Sequence, residues 1–174
     1  MCGQRRKAGL FVTAAILLAT SMPANAMVGC WNETQLAAAK VRDLQSRLMV
    51  ASLRCQAMGV NVIASYNNFV QANRETIQGA NAVILAQFRS GFGSDAQTQY
   101  DRFTTALANL YGDDATSRDV CEETALIAED AASATGDIRQ LVAIEDRLGF
   151  SSPLPGGQCG VSFASARETA GAGD

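Results

Sequence analysis

The sequence predicts an all-α protein, an elongated antiparallel up-down bundle of about four helices clamped by two disulfides. Three observations predict it. Four stretches repeat apolar residues at alternating spacings of three and four, the seam of helices packed lengthwise on one another. Glycines and polar clusters punctuate the intervals between those stretches, and no strand-length alternation competes with them. Beyond Cys2, four cysteines (Cys30, Cys55, Cys121 and Cys159) stand far apart in sequence, as long-range crosslinks require.

The chain begins with a segment that reads as a secretory leader. Arg5, Arg6 and Lys7 form a positive n-region, and Leu10 to Leu18 is an apolar core too short to span a bilayer. Pro23 breaks the helix, and Ala24-Asn25-Ala26 supplies the small–x–small pattern of a signal-peptidase site. Cleavage is expected after Ala26, so residues 1–26 are leader. Residues 27–160 form one helical domain, and 161–174 form a flexible tail rich in small residues. The alternative reading is a lipoprotein anchored at Cys30, since Met27-Val28-Gly29-Cys30 is a loose lipobox. Lipidation there would leave three thiols, an odd number. No later run is long and apolar enough for a transmembrane span.

Removal of the leader leaves 148 residues, enough for one domain with a proper core. They carry 11 cations and 17 anions, and a net acidic chain argues against nucleic acid as a partner. The charge is uneven: residues 27–110 are net +2 and residues 111–174 net −8.

Helix 1 is expected from about Glu33 to Met58. Asn32 is its N-cap, and Gln35 completes a capping-box pair. Ala37, Val41, Leu44, Leu48, Ala51, Cys55 and Met58 form a coiled-coil-like seam, and Gly59 ends it. Helix 2 is expected as one rod from about Val62 to Phe88, with a seam that includes Ile63, Tyr66, Val70, Ile77 and Ile84. Asn73 falls on that stripe, where a polar residue fixes register or meets a buried ligand. Arg89 to Gly93 reads as a loop. Helix 3 starts at a cap, Ser94, and carries Tyr100, Phe103, Leu107 and Leu110 inward. Helix 4 begins near Arg118 and reaches Leu148, with a kink or break at Ala134-Thr135-Gly136-Asp137. At about 1.5 Å per residue, helices 1 and 2 each run about 40 Å.

Topology selects among the three possible cysteine pairings. In an up-down bundle Cys55 and Cys121 share one end, and Cys30 and Cys159 share the other. The expected bridges are therefore Cys30–Cys159 and Cys55–Cys121. Basic helix 1 would then lie beside the acidic last helix.

The chemistry available is narrow. With no histidine, a Ser-His-Asp triad, a Cys-His pair and H-E-x-x-H metal sites are excluded. The doublets Glu122-Glu123, Glu129-Asp130 and Glu145-Asp146 lie along one helix and read as a solvated face. A carboxylate enzyme would need two such groups facing one another across a groove. The residues designate no catalytic, cofactor-binding or metal-ligating group, and no cofactor is expected. Asn73, Tyr66 and Tyr100 are the candidate polar contacts for a ligand in the core. Trp31, Phe92, Phe150 and Phe163 lie outside the seams and either plug the bundle ends or present a contact surface.

The expected function is a non-catalytic structural or interaction protein of the bacterial envelope, periplasmic or extracellular. Its partners would be other exported proteins or copies of itself. The alternative is a binding or inhibitory module for a small apolar ligand or another exported protein. In outline, a leader followed by long helices, the chain resembles the periplasmic minor pilins of type IV secretion systems. That likeness carries no motif and therefore implies no site residue.

Overall fold

The computed structural model describes residues 29–160, so the expected leader at 1–26, the tail at 161–174 and Phe163 lie outside the described residues. These described residues form six α-helices: α1 (Glu33–Ala57), α2 (Ile63–Ala72), α3 (Arg74–Phe92), α4 (Ala96–Leu110), α5 (Arg118–Ser133) and α6 (Ile138–Leu148). A single 3-10 turn, Gly93–Asp95, leads into α4. Among them there is no strand, only a two-residue bridge between Trp31 and Gln158.

α1 is the axis of the molecule. Its N-terminus carries a complete capping box: the Asn32 side chain accepts from the Gln35 amide, and Gln35 accepts from the Asn32 amide. The expected seam accounts for only part of what α1 buries. Val41, Leu44, Leu48 and Cys55 are buried, but so are Ala38, Ala39, Asp43, Ser46 and Ser52 on the flanking faces. Burial on several faces follows from its neighbours, since α2, α3, α4, α5 and α6 all pack against it. Small residues at Ala38, Ala39, Ser46 and Ser52 let those neighbours come close.

The structure divides the expected helix 2 at Asn73, which separates α2 from α3 with a backbone of φ −115° and ψ 21°. Its side chain competes for the helix's own carbonyl: Asn73 Nδ2 donates to Phe69 O (3.0 Å), which also accepts from the Asn73 amide. A local side-chain bond of this kind loosens a helix and bends it. Helical structure also extends through the expected loop, as α3 continues to Phe92. Ser94 is not a cap. It lies inside the 3-10 turn, and α4 starts after Asp95 without a side-chain capping bond.

The expected helix 4 is two helices, and the second reverses direction. Thr135 (φ 45°) and Gly136 (φ 91°) adopt left-handed backbone between α5 and α6. The Asp137 carboxylate then caps α6 by accepting from the Arg139 amide (2.9 Å). α5 follows α2 in the same sense: Cys121 joins Cys55 near Val62, Glu129 meets Ser65, and Gly136 meets Asn73 and Thr76. α6 comes back alongside α1, with Ile138, Arg139 and Val142 near Glu33 to Lys40 and Glu145 near Arg47. A four-helix up-down path, in which the last helix itself carries the chain back to Cys159, is therefore replaced by an α5–α6 hairpin. Residues 149–160 form a strap that makes the return along α1. The strap places Cys159 beside Cys30, and the two disulfides join Cys30 to Cys159 and Cys55 to Cys121.

The main core is aromatic at the end nearest Cys30. Trp31 lies against Phe88 and Phe103 (ring centroids 6.1 and 5.8 Å), and Phe92 stacks on Phe88. At the other end the cluster is small, with Cys55, Val62 and Cys121 buried together.

Candidate functional site: a buried carboxyl pair between α1 and α6

Where α6 crosses the middle of α1, the interface is polar. Asp43 and Glu145 are both 0% exposed. Each occupies an inward position for a reason visible in its helix. Glu145 follows Leu141 by four residues and precedes Leu148 by three, so it shares their face. Asp43 follows Ala39 by four and precedes Ser46 by three, on the small-residue flank of α1. The close approach that the small residues allow brings the two carboxyls together.

Two further side chains complete the cluster. Arg47, one turn after Asp43, donates from Nη2 to Glu145 Oε1 (3.0 Å) and to Gly149 O (3.0 Å), the first carbonyl of the strap. Its guanidinium also lies over the Tyr111 ring, 4.5 Å from the centroid. Tyr111, just past α4, is held by its backbone carbonyl, which accepts from Arg54 Nη1 (2.8 Å). Asp43 lies within interaction range of Glu145 and of the Tyr111 hydroxyl. None of Asp43 Oδ1, Asp43 Oδ2, Glu145 Oε2 and Tyr111 Oη, however, has a hydrogen-bond partner in good geometry.

Two carboxyls and one guanidinium cannot satisfy a buried site if both acids are ionised, because the second negative charge lacks both solvent and a counter-ion. One proton shared between the acids removes that charge and supplies the missing donor. The titration behaviour agrees in sign. Burial pushes Glu145 up to about 8, aided by the nearby Asp43 charge and opposed by Arg47. Burial also raises Asp43, against the lowering effects of Glu145, Tyr111 and Arg47. Tyr111 is raised by burial and by the Asp43 charge. The pair can hold a proton, but it faces a packed interface, whereas a carboxylate enzyme needs its acids across an open groove.

The sequence-designated polar residues are not brought together. Asn73 is buried, and both of its amide hydrogens are committed: it donates to Phe69 O and Ala131 O (2.8 Å), and it accepts from the Gly136 amide (2.8 Å). It is a brace between the α2–α3 bend and the α5–α6 turn. Tyr66 is half-buried on α2 beside Phe69, where burial raises its hydroxyl. Tyr100 is on α4, edge-on to Phe88. Of the unassigned aromatics, Trp31 plugs the end beside Cys30–Cys159 and Phe92 joins it, while Phe150 packs near Lys40. The Glu145-Asp146 doublet is split, Glu145 inside and Asp146 outside paired with Lys40. Reading both as solvated missed the site. The signal was the placement of Glu145 on the Leu141–Leu148 stripe, together with the Asp43–Arg47 spacing on α1.

A small pocket of about 50 Å³ is lined by Arg47 and Tyr111, and a groove of about 390 Å³ lies between the first turns of α1 and α6, lined by Leu36, Ala37 and Val142. Among the described residues no group of three or more metal-ligating side chains converges, and no helix is long and apolar enough to cross a membrane. The fold and the cluster define a class, an all-helical, doubly disulfide-linked domain, and the two disulfides indicate an oxidising, non-cytoplasmic compartment. Comparison with protein-family models, curated proteins and solved structures found no match for the chain.

Proposed function

We propose that this chain is an exported, non-catalytic structural or interaction protein of the bacterial envelope, working through contacts with other exported proteins or with its own copies. The observation that carries the reading is the clamping of α1 at both ends. Cys55–Cys121 ties its last turn to α5, and Cys30–Cys159 ties its entry to the strap. Such crosslinks suit a domain that must keep its shape outside the cytoplasm. The leader-like residues 1–26 support the same compartment. The buried acids support a non-catalytic role, since their carboxyls are withdrawn from any substrate.

One observation favours a second reading, a binding module. The groove between α1 and α6 pairs apolar Leu36, Ala37 and Val142 with charged Glu33, Lys40 and Arg139, which suits a small, mostly apolar ligand with a polar end. A ligand held by Asn73 is disfavoured, because both of its amide hydrogens are already committed and its oxygen already accepts from Gly136.

Mild crosslinking of the native envelope fraction, with identification of co-purified proteins, tests the proposal. A ladder of copies or a defined set of envelope proteins is the expected result. Recovery as a lone monomer overturns it and directs attention to the groove.

A further inference from the structure

We propose that Asp43 and Glu145 form a proton-operated latch, which holds α6 and the start of the strap on α1 while the pair keeps one proton and lets them open when that proton leaves.

The geometry assigns this role to a specific joint. Everything between Cys121 and Cys159 is a loop whose two ends are crosslinked to α1 or its entry. α6 and the start of the strap lie within that loop. They can therefore separate from α1 without the chain coming apart. At the centre of the joint are the two buried acids. Each acid has at least one oxygen with no partner, and the Tyr111 hydroxyl, itself without a partner in good geometry, lies within interaction range of Asp43. Arg47 links the acids to the strap, since the same guanidinium nitrogen serves Glu145 and the Gly149 carbonyl.

The groups that face the pair come from three elements. α1 supplies Arg47. The residue after α4 supplies Tyr111, whose carbonyl receives Arg54. α6 supplies Glu145 itself, flanked outward by the Asp146–Lys40 pair. Arg47 is the one cation bonded to the pair, so it balances one ionised acid and not two. With one proton the cluster is neutral and the acids share a hydrogen bond. Without it, two carboxylates face one another out of water, and opening the joint is the way to hydrate them.

The sign follows from linkage. The acids are raised in the closed form, so the closed form holds more protons than the open one. The latch is strongest below the ordinary carboxylate range and weakens as pH rises toward about 8, where the closed pair gives up its proton. Within that window the opening equilibrium changes by up to about tenfold per pH unit for one proton.

Amide hydrogen exchange on the intact, oxidised chain tests the latch, with rates corrected for intrinsic pH dependence and compared at about pH 5 and about pH 8. The expected result is that amides of α6 lose protection by about tenfold or more across this range while amides in the middle of α3 hold theirs. Glu145→Gln, a permanent stand-in for the protonated acid, should abolish the difference, and so should Asp43→Asn. Equal pH responses of α6 and α3 in the native chain overturn the proposal, as does an undiminished α6 response in both variants. Carboxyl-carbon NMR of the native chain gives a reading that needs no variant: one Asp or Glu carboxyl should titrate well above the rest. If all of them titrate in the ordinary range, the latch is disproved.

Discussion

The Trp31 end and the Asp43–Glu145 layer both fasten α1 to the C-terminal part of the chain, and they do so by opposite means. At the Trp31 end every polar group of Trp31 has a partner. The indole N–H donates to Pro155 O (2.7 Å), the Trp31 amide to Gly157 O (2.8 Å), and the Cys159 amide to Trp31 O (2.9 Å). The ring lies among Phe88 and Phe103, and the Cys30–Cys159 bond closes the joint covalently. At the acid layer four buried oxygens lack partners, and so does Arg47 Nε; a proton shared by the two acids supplies a donor between them. Apolar burial and neutral hydrogen bonds do not depend on pH, whereas a shared proton does. One joint is thus permanent and the other conditional, along a single helix.

The comparison predicts an ordered set of effects. The largest is expected from Cys30→Ser with Cys159→Ser, which opens a closed loop with a sequence separation of 129. Loop entropy puts the loss at about 4–5 kcal/mol, measurable by chemical denaturation. Trp31→Ala should cost about 3–5 kcal/mol, since it empties a fully buried aromatic site and strands the Pro155 carbonyl. That loss should be the same at about pH 5 and about pH 8. A strong pH dependence there would erase the distinction between the two joints.

Arg47→Ala should cost less, about 1–3 kcal/mol, because the guanidinium is partly exposed. This loss, unlike that of Trp31, should grow as pH rises, since the cation attracts two carboxylates instead of one once the pair loses its proton. The native chain should show a matching curve. Stability falls as pH rises through the window set by the raised acids, Glu145 at about 8 and Asp43 above its ordinary value. Asp137, lowered chiefly by its backbone bond from Arg139, acts in the opposite sense: its contribution is lost as pH falls through its depressed value. Thermal melts across pH should therefore show greatest stability on the acid side of neutrality. The smallest effect belongs to Asp146→Ala. Its bridge to Lys40 is at the surface, half of Asp146 is exposed, and removal should shift stability by no more than about 0.5 kcal/mol.

Much of the helical content was legible because its signals are local. The Asn32–Gln35 capping box needs only residues three apart, and the α1 seam needs only its own spacing. Ser117, at the end of the expected capping turn, accepts from the Val120 amide (3.2 Å) at the start of α5. Errors arose where a local signal was ambiguous. Asn73 on an apolar stripe reads as a register device, with a ligand contact as the alternative, and only the arrival of Ala131 O and the Gly136 amide shows it to be a brace. Ala134 to Asp137 reads as a kink or a stop. Whether the next helix continues or doubles back depends on how α6 buries Leu141 and Ile144, a choice made by packing and not by the four residues of the turn.

The candidate site was the least legible part. A Glu beside an Asp on an acidic helix reads as solvated, and an Asp four residues before an Arg reads as a surface pair. Each reading is sound for an isolated helix in water. The sequence by itself determined that the domain is helical, where α1 and α5 start and that, beyond Cys2, four well-separated cysteines are on hand for long-range crosslinks, because capping, periodicity and cysteine spacing are properties of neighbouring residues and chain order. Only the tertiary structure decided that α6 reverses, that a strap returns the chain to Cys30, and that Asp43 meets Glu145 out of water. Those outcomes depend on which faces share a dry interface, and the free energy of a buried charge is set by the residues packed against it rather than by those next to it in the chain.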